Sequence, residues 1–337
     1  MVRLALVGCG GYARIHAGNL KTLKDEAQVA ALCDPMAERT ARFKQEYFPE
    51  AAEYDAVERM LDDSSLKLDG VVLVTPHTAH YQQAKAALQR GLHVMVEKPM
   101  VTSVEQAYDL WRLVKKSGKL LCISYQAPHT AEYGYLAGLR DSGDWGKVQV
   151  INGWVSQGWM QGTTGLWRQD LAISGGGFMY DTGAHLLNAI MWLMNDPVVE
   201  VSCMIDTVGC PVDINGVATL RFQNGALGSV SLGGNVPQFA TRIQIMTDRL
   251  LIQTDQYGHK LQVSRWEKTV YPHVRQELDT PGAGTPQLNF IRAIQGKEPL
   301  RSPVRYGVLL SALMDAMYES AEKRKPVEVK PVPQDID

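Results

Sequence analysis

The chain begins with a short apolar run that leads directly into a glycine turn, and this stretch decides the fold. Residues 2–13 read VRLALVGCGGYA. A buried strand followed at once by G-x-G-x-x-A and a helix is the context in which proteins bind a dinucleotide. Gly8 permits the tight turn, Gly10 lets the backbone approach a pyrophosphate, and Ala13 keeps helix and strand close. The turn therefore predicts a cofactor site formed by Gly8, Gly10, Gly11, Tyr12 and Ala13.

An acidic residue, Asp34, ends the second apolar run of the chain. An acid at this place accepts hydrogen bonds from the adenosine ribose hydroxyls, and its charge repels a 2'-phosphate. The sequence thus favours NAD over NADP, although Arg39 nearby leaves NADP open. The alternative is an ordinary glycine turn between strand and helix, with Asp34 as a loop acid.

The first third of the chain alternates β-branched runs with helical periodicity, as a doubly wound parallel sheet does. We predict an α/β Rossmann domain over residues 1–123. Its helices include Ala79 to Gln89 and Val104 to Lys116, and its expected strands are Arg3 to Val7, Gln28 to Cys33, Gly70 to Val74, His93 to Val96 and Leu120 to Ser124.

After Tyr125 one helix, about Ala131 to Arg140, is followed by strands without helices between them. Such a run predicts an α+β domain with a large, mostly antiparallel open sheet over residues 124–325. A last helix runs from Ser302-Pro303 to about Lys323, and residues 326–337 form a Pro-rich tail that we expect to be loosely held. The long strands expected here are Val148 to Val155, Val198 to Val208 and Gly216 to Phe222.

Composition excludes several classes of protein. The 337 residues carry a formal net charge of -2, which provides no field for nucleic acid or an anionic membrane surface. No stretch approaches the roughly 20 apolar residues of a membrane span. The five cysteines are scattered and form no C-x-x-C pair, so we expect no structural zinc, a reducing environment and a cytoplasmic location.

Two short motifs follow later strands of the predicted Rossmann sheet. Thr75-Pro76-His77 lies at the end of the third candidate strand, where the carboxyl edge of the sheet would bring it near a nicotinamide. Glu97-Lys98-Pro99 closes the fourth, so Lys98 would stand at the same edge and can meet a substrate hydroxyl. A plain strand exit at His77 and a surface lysine before a proline at Lys98 are the alternatives.

A glycine run, Gly175 to Gly177, enters an apolar helix whose first turn carries Asp181 and His185. These two residues are four apart and therefore share one helix face. Taken alone, these residues are better explained as an N-cap at Asp181 and a core histidine at His185.

The ordered set of motifs resembles the Gfo/Idh/MocA family, named after glucose-fructose oxidoreductase and inositol dehydrogenase. The set comprises the strand with G-x-G-x-x-A, Thr-Pro, Glu-Lys-Pro and G-G-G-x-x-x-D-x-G-x-H, together with His16, His80 and the segment Asn289 to Ile291. The resemblance covers nearly the whole chain. It implies that Lys98, Asp181 and His185 are catalytic, and that the nicotinamide lies between the two domains. It also adds His80 and Glu97 to the cofactor-binding residues.

These residue types suit hydride transfer. An imidazole with an ordinary pKa of about 6.5 can accept the proton of an alcohol near neutral pH, so His185 is the candidate base. Asp181 would orient the imidazole and stabilise its charged form, and the Lys98 ammonium would stabilise a developing alkoxide. We expect no metal, because no further Cys/His cluster supplies ligands.

Departures from the family pattern leave the substrate open. Asn188 stands where the family often has an acid, and the segment Tyr125 to His129 lacks an arginine often found there. Substrate contacts are expected from Tyr125, Trp154, Trp167 and Arg168, in addition to the catalytic residues. Large aromatic residues also fill sheet cores or subunit interfaces, and that alternative remains open for the tryptophans.

The sequence therefore predicts an NAD-dependent oxidoreductase that acts on a secondary alcohol or carbonyl of a sugar, cyclitol or related polyol. An NAD-cofactored enzyme that cleaves glycosides by transient oxidation, elimination and re-reduction is the main alternative, and a non-catalytic sensor of dinucleotide or sugar is a third. A broad sheet with apolar residues at alternating positions favours a homodimer or homotetramer.

Overall fold

The computed structural model describes residues 1–265, 269–270 and 284–333. The strands are β1 (Val2–Val7), β2 (Ala27–Cys33), β3 (Ala52–Tyr54), β4 (Gly70–Leu73), β5 (His93–Val96), β6 (Leu121–Ile123), β7 (Val148–Ser156), β8 (Val198–Asp206), β9 (Asn215–Phe222), β10 (Leu227–Gly233), β11 (Ala240–Thr247), β12 (Leu250–Thr254), β13 (Gln262–Arg265), β14 (Thr269–Val270) and β15 (Val327–Glu328). The helices are α1 (Ala13–Thr22), α2 (Ala37–Glu46), α3 (Val57–Asp62), α4 (His80–Gln89), α5 (Val104–Ser117), α6 (Ala131–Asp141), α7 (Trp159–Gly162), α8 (Leu171–Ser174), α9 (Ala184–Met194), α10 (Pro286–Ile294) and α11 (Val304–Lys323).

The chain divides into two compact units. The first unit comprises residues 1–101, 105–124 and 284–307, and the second comprises the described parts of 102–104, 125–283 and 308–337. Apart from residues 102–104, the N-terminal part of the first unit runs from Met1 to Ser124. The segment 284–307, which the sequence assigned to the second domain, returns to the first unit instead.

The first unit contains a parallel sheet of six strands in the order β3-β2-β1-β4-β5-β6. This is the strand order of a dinucleotide-binding Rossmann fold, with the carboxyl ends of all strands at one edge. The sequence missed β3, because three residues at a sheet edge need no apolar run. The other five strands lie where the sequence predicts them, within one residue at each end.

Helix α10 belongs to the first unit because its apolar residues complete the core of that unit. Phe290 and Ile291 are fully buried and lie in one cluster with Val2, Leu6 and Leu20. The carbonyl of Ser302 also accepts a hydrogen bond from the backbone of β6. The expected domain boundary is therefore corrected: a late segment of the chain returns to the Rossmann unit.

The second unit contains a sheet of nine strands in the order β14-β13-β12-β11-β7-β10-β9-β8-β15. Within the described part of this second sheet, β7 and β10 form the only parallel pair, and the other neighbouring strands are antiparallel. Burial alternates along β9 and β10, so one face is covered and the other is open. Helix α9 packs on the covered face, where Leu186 and Ile190 lie against Gly153 of β7.

Two expectations for the second unit need correction. The tail is not wholly loose, because Val327–Glu328 forms strand β15 and pairs with β8; residues 334–337 lie outside the described part. Strand β8 ends at Asp206 rather than Val208, since Val208 has φ +50° and cannot continue an extended strand. Among the described residues, no helix has the length and apolar character needed to cross a membrane.

Candidate active site

The glycine turn after β1 has the geometry that a dinucleotide requires. Gly8 has φ +89°, and its N–H donates to the carbonyl of Cys33 at 2.8 Å. A methyl group at Gly8 would overlap the carbonyl oxygen of Val74, so only glycine fits. At Gly10 and Gly11 an added methyl group would meet no protein atom within 4 Å. This open space at the N-terminal end of α1 fits a pyrophosphate.

The residues beside the glycines are placed as the motif requires. Ala13 is fully buried at the first position of α1, so the helix lies close to the sheet, while Tyr12 remains exposed. Cys9 lies between the two glycines. Burial raises the pKa of its thiol to about 12, so the thiol stays protonated and is no nucleophile.

Asp34 directly follows β2 and braces the glycine turn. Its Oδ2 accepts a hydrogen bond from the backbone N–H of Cys9 at 2.9 Å, and its Oδ1 accepts from Met36 at 3.0 Å. The carboxylate is buried, and Arg39 approaches it with Nη1 3.7 Å from Oδ2. Each carboxylate oxygen can accept more than one hydrogen bond, so the same group remains able to accept from ribose hydroxyls.

The segment Thr75 to His77 follows β4 at the same edge of the sheet. Thr75 donates from Oγ1 to Gln83 at 2.6 Å, and His77 is buried. His80 is fully buried, with Nδ1 2.8 Å from the carbonyl of Pro99 and Nε2 2.9 Å from that of Thr75. Burial lowers the pKa of His80, and the two carbonyls oppose that effect. His80 therefore connects two loops at this edge through its ring nitrogens.

Glu97 and Lys98 directly follow β5. Glu97 is buried, and its Oε2 accepts from the backbone N–H of Lys98 at 3.2 Å. The side chain of Lys98 is half-buried, and the peptide bond to Pro99 is cis. Because all strands of the sheet are parallel, Lys98 stands at the carboxyl edge where Gly8 and Asp34 also lie.

Asp181 is a buried carboxylate held by two donors of the second unit. Its Oδ2 accepts from the indole N–H of Trp159 at 2.7 Å and from Nε of Arg168 at 3.0 Å. Arg168 thereby also forms an ion pair with Asp181, and hydrogen bonds between such charged groups are stronger than neutral ones. Asp181 is therefore no N-cap: its side chain is directed to residues of the insertion after β7.

His185 is flanked by two tyrosine rings. The ring of Tyr125 lies 5.7 Å away, centroid to centroid, in an edge arrangement at 85°, and the ring of Tyr257 lies 5.5 Å away at 60°. His185 is only partly buried, unlike a core histidine. Burial raises the pKa of the Tyr257 hydroxyl, and the charge of Asp181 adds to that effect. His185 therefore lies in an aromatic environment that Tyr125 and Tyr257 form on two sides.

The glycine run before Asp181 is held by a residue that the sequence did not single out. Asp213 accepts from the backbone N–H groups of Gly177 and Met179, each at 2.7 Å, and from the hydroxyl of Tyr318. A side chain at Gly177 would overlap the backbone of Asp213. From here Met179–Gly183 forms a π-helical turn that continues into α9. Such turns are frequent at functional sites, and this one places Asp181.

The predicted substrate contacts Trp154, Trp167 and Arg168 do not all lie in the same place. Arg168 stacks on the ring of Trp167, with its guanidinium carbon 4.6 Å from the centroid, and so brings that ring toward Asp181. Trp154 lies on β7 next to Gly153, and Gly153 faces α9. Because neighbouring strand residues face opposite ways, Trp154 points to the open face of the sheet, where it is 43% exposed. The structure therefore does not bring Trp154 together with Asp181 and His185.

Asn188 lies one turn beyond His185 on α9 and is 1% exposed. Within the described part of the chain, neither its amide nitrogen nor its amide oxygen has a hydrogen-bond partner. Buried amides are normally hydrogen-bonded, so the Asn188 side chain can still bind a polar group of a ligand. Over the same residues, no group of three or more His, Cys, Asp or Glu side chains could hold a metal ion.

Comparison with known proteins covers both halves of the chain. The oxidoreductase family with an NAD-binding Rossmann fold, Gfo/Idh/MocA, matches residues 2–125, and the C-terminal domain of that family matches residues 133–252. The chain belongs to the Gfo/Idh/MocA oxidoreductase family. The predicted resemblance, the Rossmann and α+β fold classes, and a nicotinamide dinucleotide as cofactor are thereby confirmed.

Relatives of this Gfo/Idh/MocA protein include enzymes that act on sugars. The chain is 24% identical to D-glucoside 3-dehydrogenase of Escherichia coli, over 97% of each chain. It is 25% identical to D-xylose 1-dehydrogenase (NADP(+)) 2 of Haloferax volcanii, over 91% of this chain and 90% of the relative. Levoglucosan dehydrogenase in complex with NADH and levoglucosan shares the fold, with a TM-score of 0.88 and 19% identity over 98% of this chain and 100% of that one.

Proposed function

We propose that this protein is an NAD-dependent dehydrogenase or reductase that transfers a hydride between the nicotinamide and a secondary alcohol or carbonyl of a sugar, cyclitol or related polyol. One observation carries the proposal: Asp181 is a buried carboxylate bound by Trp159 and Arg168, four residues before the partly exposed imidazole of His185. A carboxylate four residues before an imidazole on the same turn of the chain suits proton removal from an alcohol. The sugar relatives support the substrate class.

We assign the roles as follows. A nicotinamide held by the residues at the carboxyl edge of the Rossmann sheet would supply the acceptor for the hydride on the carbon of the alcohol. His185 takes the proton of the hydroxyl, and Asp181 stabilises the imidazolium that forms. The Lys98 ammonium stabilises the alkoxide before the carbonyl is complete. Proposed substrate contacts are Tyr125, whose ring lies against His185, Arg168, which bonds to Asp181, and Trp167, on whose ring Arg168 stacks.

The coenzyme-binding residues proposed are those at the carboxyl edge of the Rossmann sheet: Gly8, Gly10, Gly11, Tyr12, Ala13, Asp34, Arg39, Thr75, Pro76, His77, Glu97 and Lys98. His80 supports two of these loops through its bonds to Thr75 and Pro99. The buried charge of Asp34 favours NAD, because a 2'-phosphate would meet it. Titration of NADH and NADPH by fluorescence tests this choice, and tighter binding of NADPH would contradict it.

The substrate class is tested with the purified protein, NAD or NADP, and a panel of sugars, cyclitols and glycosides. Absorbance of the reduced nicotinamide and formation of product are followed together. A dehydrogenase forms one reduced nicotinamide for each product molecule. Product release at constant absorbance identifies a redox-neutral glycoside-cleaving enzyme instead, and binding without any product identifies a sensor.

We also propose that the protein forms a homodimer or homotetramer through the open face of the nine-stranded sheet. One row of paired residues crosses that face: Arg242, Trp154, Ser231, Val217 and Met204. Three of the five are large apolar side chains that are 43%, 56% and 79% exposed, which a second copy would cover. Light scattering should give a multiple of the 37.3 kDa chain, and Trp154→Lys should reduce it. A wild-type monomer would contradict this.

The cytoplasmic location remains a prediction. Its support is that all five cysteines are free thiols and four of them are buried, as in proteins of reducing compartments. Cell fractionation with a tagged chain tests it, and recovery from an oxidising compartment would contradict it.

A further inference from the structure

A chain of buried polar side chains lies behind Lys98 in the first unit. It joins Asn19 and His16 of α1, Gln287 of α10 and Glu97 after β5. Three of these side chains are almost inaccessible to solvent: His16 is 1% exposed, Gln287 2% and Glu97 6%. Burial of a polar group costs free energy unless the group is hydrogen-bonded. The hydrogen bonds among these side chains are therefore needed to keep them in the core.

The hydrogen bonds fix the position of the ring proton on His16. Asn19 donates from Nδ2 to Oε1 of Gln287 at 3.1 Å, which turns the amide nitrogen of Gln287 toward His16. That nitrogen lies 2.9 Å from Nδ1 of His16. Since an amide nitrogen only donates, Nδ1 accepts, and the ring proton of a neutral His16 is on Nε2.

The ring proton then faces Glu97. Nε2 of His16 lies 2.7 Å from Oε1 of Glu97 and donates to it. The other carboxylate oxygen, Oε2, accepts from the backbone N–H of Lys98. One line of hydrogen bonds thus leads from helix α10, through the helix that follows the glycine turn, to the peptide of Lys98.

The geometry points to His16 and Gln287 as positioning residues for Lys98: through Glu97 they hold the Lys98 backbone in place for hydride transfer. The inference rests on the proposed function, which gives Lys98 its role. His16 and Gln287 act only through Glu97. A displacement of about 1 Å in a group that stabilises the transition state can reduce turnover about 100-fold. Loss of the His16 or Gln287 hydrogen bonds should therefore lower kcat rather than the affinity for substrate.

The test compares two substitutions at His16. His16→Leu removes both hydrogen bonds. His16→Gln can keep them, because a glutamine amide has one nitrogen to donate to Glu97 and one oxygen to accept from Gln287. We expect His16→Leu to reduce kcat between about 10-fold and 100-fold with little change in the Kd of NADH, and His16→Gln to recover most of the loss.

His93→Phe is the matched control. His93 is a partly buried histidine at the opposite end of β5, where its Nδ1 accepts from the backbone of Leu120. Loss of this side chain disturbs the same strand without touching Glu97, so kcat should remain at the wild-type value. A decrease in kcat equal to that of His16→Leu would show a general packing effect and overturn the inference.

A readout independent of activity is the tautomer of His16, measured by nitrogen NMR of the full chain. We expect the proton on Nε2 in the wild type, and a change in the Nδ1 signal in Gln287→Leu, in which the donor to Nδ1 is lost. A proton on Nδ1 in the wild type, or wild-type kcat in folded His16→Leu, overturns the inference. If His16→Leu does not fold, Gln287→Leu takes its place in the test: wild-type kcat together with an unchanged Nδ1 signal of His16 in that variant overturns the inference.

Failure of this inference and failure of the proposed function are distinguishable. Normal turnover in Lys98→Met contradicts the proposed role of Lys98 itself. Loss of turnover in Lys98→Met together with normal kcat in His16→Leu leaves that role intact and removes only the positioning residues.

Discussion

The proposed coenzyme end of the first unit (Gly8, Asp34 and Lys98) and the proposed acid–base end of the second unit (Asp181 and His185) are built in opposite ways. Gly8, Asp34 and Lys98 each directly follow a strand of one parallel sheet. Because these strands run in the same direction, the three residues lie at the same edge of the sheet. Asp181 depends instead on Trp159 and Arg168 from an insertion after β7. A short motif therefore specifies the first end, whereas tertiary contacts specify the second.

The largest expected effect comes from the charge on which the second end depends. Asp181→Asn keeps the shape but removes the carboxylate that Trp159 and Arg168 bind. We expect kcat to fall roughly 100-fold to 1000-fold, the range seen for loss of one preorganised electrostatic group, with the Kd of NADH unchanged. Steady-state kinetics and NADH titration measure both. Retention of kcat would show that the acid–base end does not require this charge.

At the coenzyme end, the motif itself can be broken without touching the second unit. In Gly8→Ala the added methyl group would overlap the carbonyl oxygen of Val74, and alanine would have to adopt the φ of +89° that Gly8 has. We therefore expect this substitution to lower the free energy of unfolding by about 3 kcal/mol or more. Gly11→Ala is the matched control, since its methyl group meets no protein atom within 4 Å. Thermal unfolding should separate the two, and equal melting temperatures would contradict the described turn.

The hydrogen bond from Trp159 gives a smaller effect at the acid–base end. Trp159→Phe keeps an aromatic ring but removes the N–H donor to Asp181. A hydrogen bond to a charged group is worth about 1.5–3 kcal/mol, so we expect kcat/KM to fall by about 10-fold or more. Trp145→Phe, another buried indole of the same unit, should have no such effect. Equal losses in the two variants would point to packing.

The smallest effect is expected from the ring that flanks the base. Tyr257→Leu removes the aromatic face beside His185, and we expect kcat/KM to fall by about 3-fold to 10-fold, in line with about 1 kcal/mol for a cation near an aromatic ring. Tyr257→Phe keeps the ring and should remain close to the wild type. If Tyr257→Phe loses as much activity as Tyr257→Leu, the hydroxyl rather than the ring is required.

At the proposed coenzyme end the sequence predicted the strands that carry the candidate residues, because each of these residues is adjacent to a strand with an apolar signature. What it missed in the first unit depends on distant contacts. Helix α10 lies far along the chain, and only the burial of Phe290 and Ile291 in the Rossmann core assigns it there. The pairing of His16 with Glu97 likewise joins residues 81 positions apart.

In the second unit the sequence predicted the segment that carries Asp181 and His185 but not its surroundings. Tyr257 reaches His185 from a loop in which Asp255 accepts from the backbone of Tyr257 and His259. No periodicity connects that loop with α9. The sequence alone does not separate Trp154 from Trp167, and only the alternation along β7 places Trp154 on the open face. Asp213 has no sequence signal, because it bonds to two backbone N–H groups and to a tyrosine hydroxyl 105 residues away.

The most direct test of the account is reduction of bound NAD in Lys98→Met, observed by stopped-flow absorbance with a substrate found in the panel. The wild type should form NADH in the first turnover. Lys98→Met should bind NAD with the same Kd and form no NADH on that time scale. Formation of NADH by Lys98→Met at the wild-type rate would contradict the proposed chemistry.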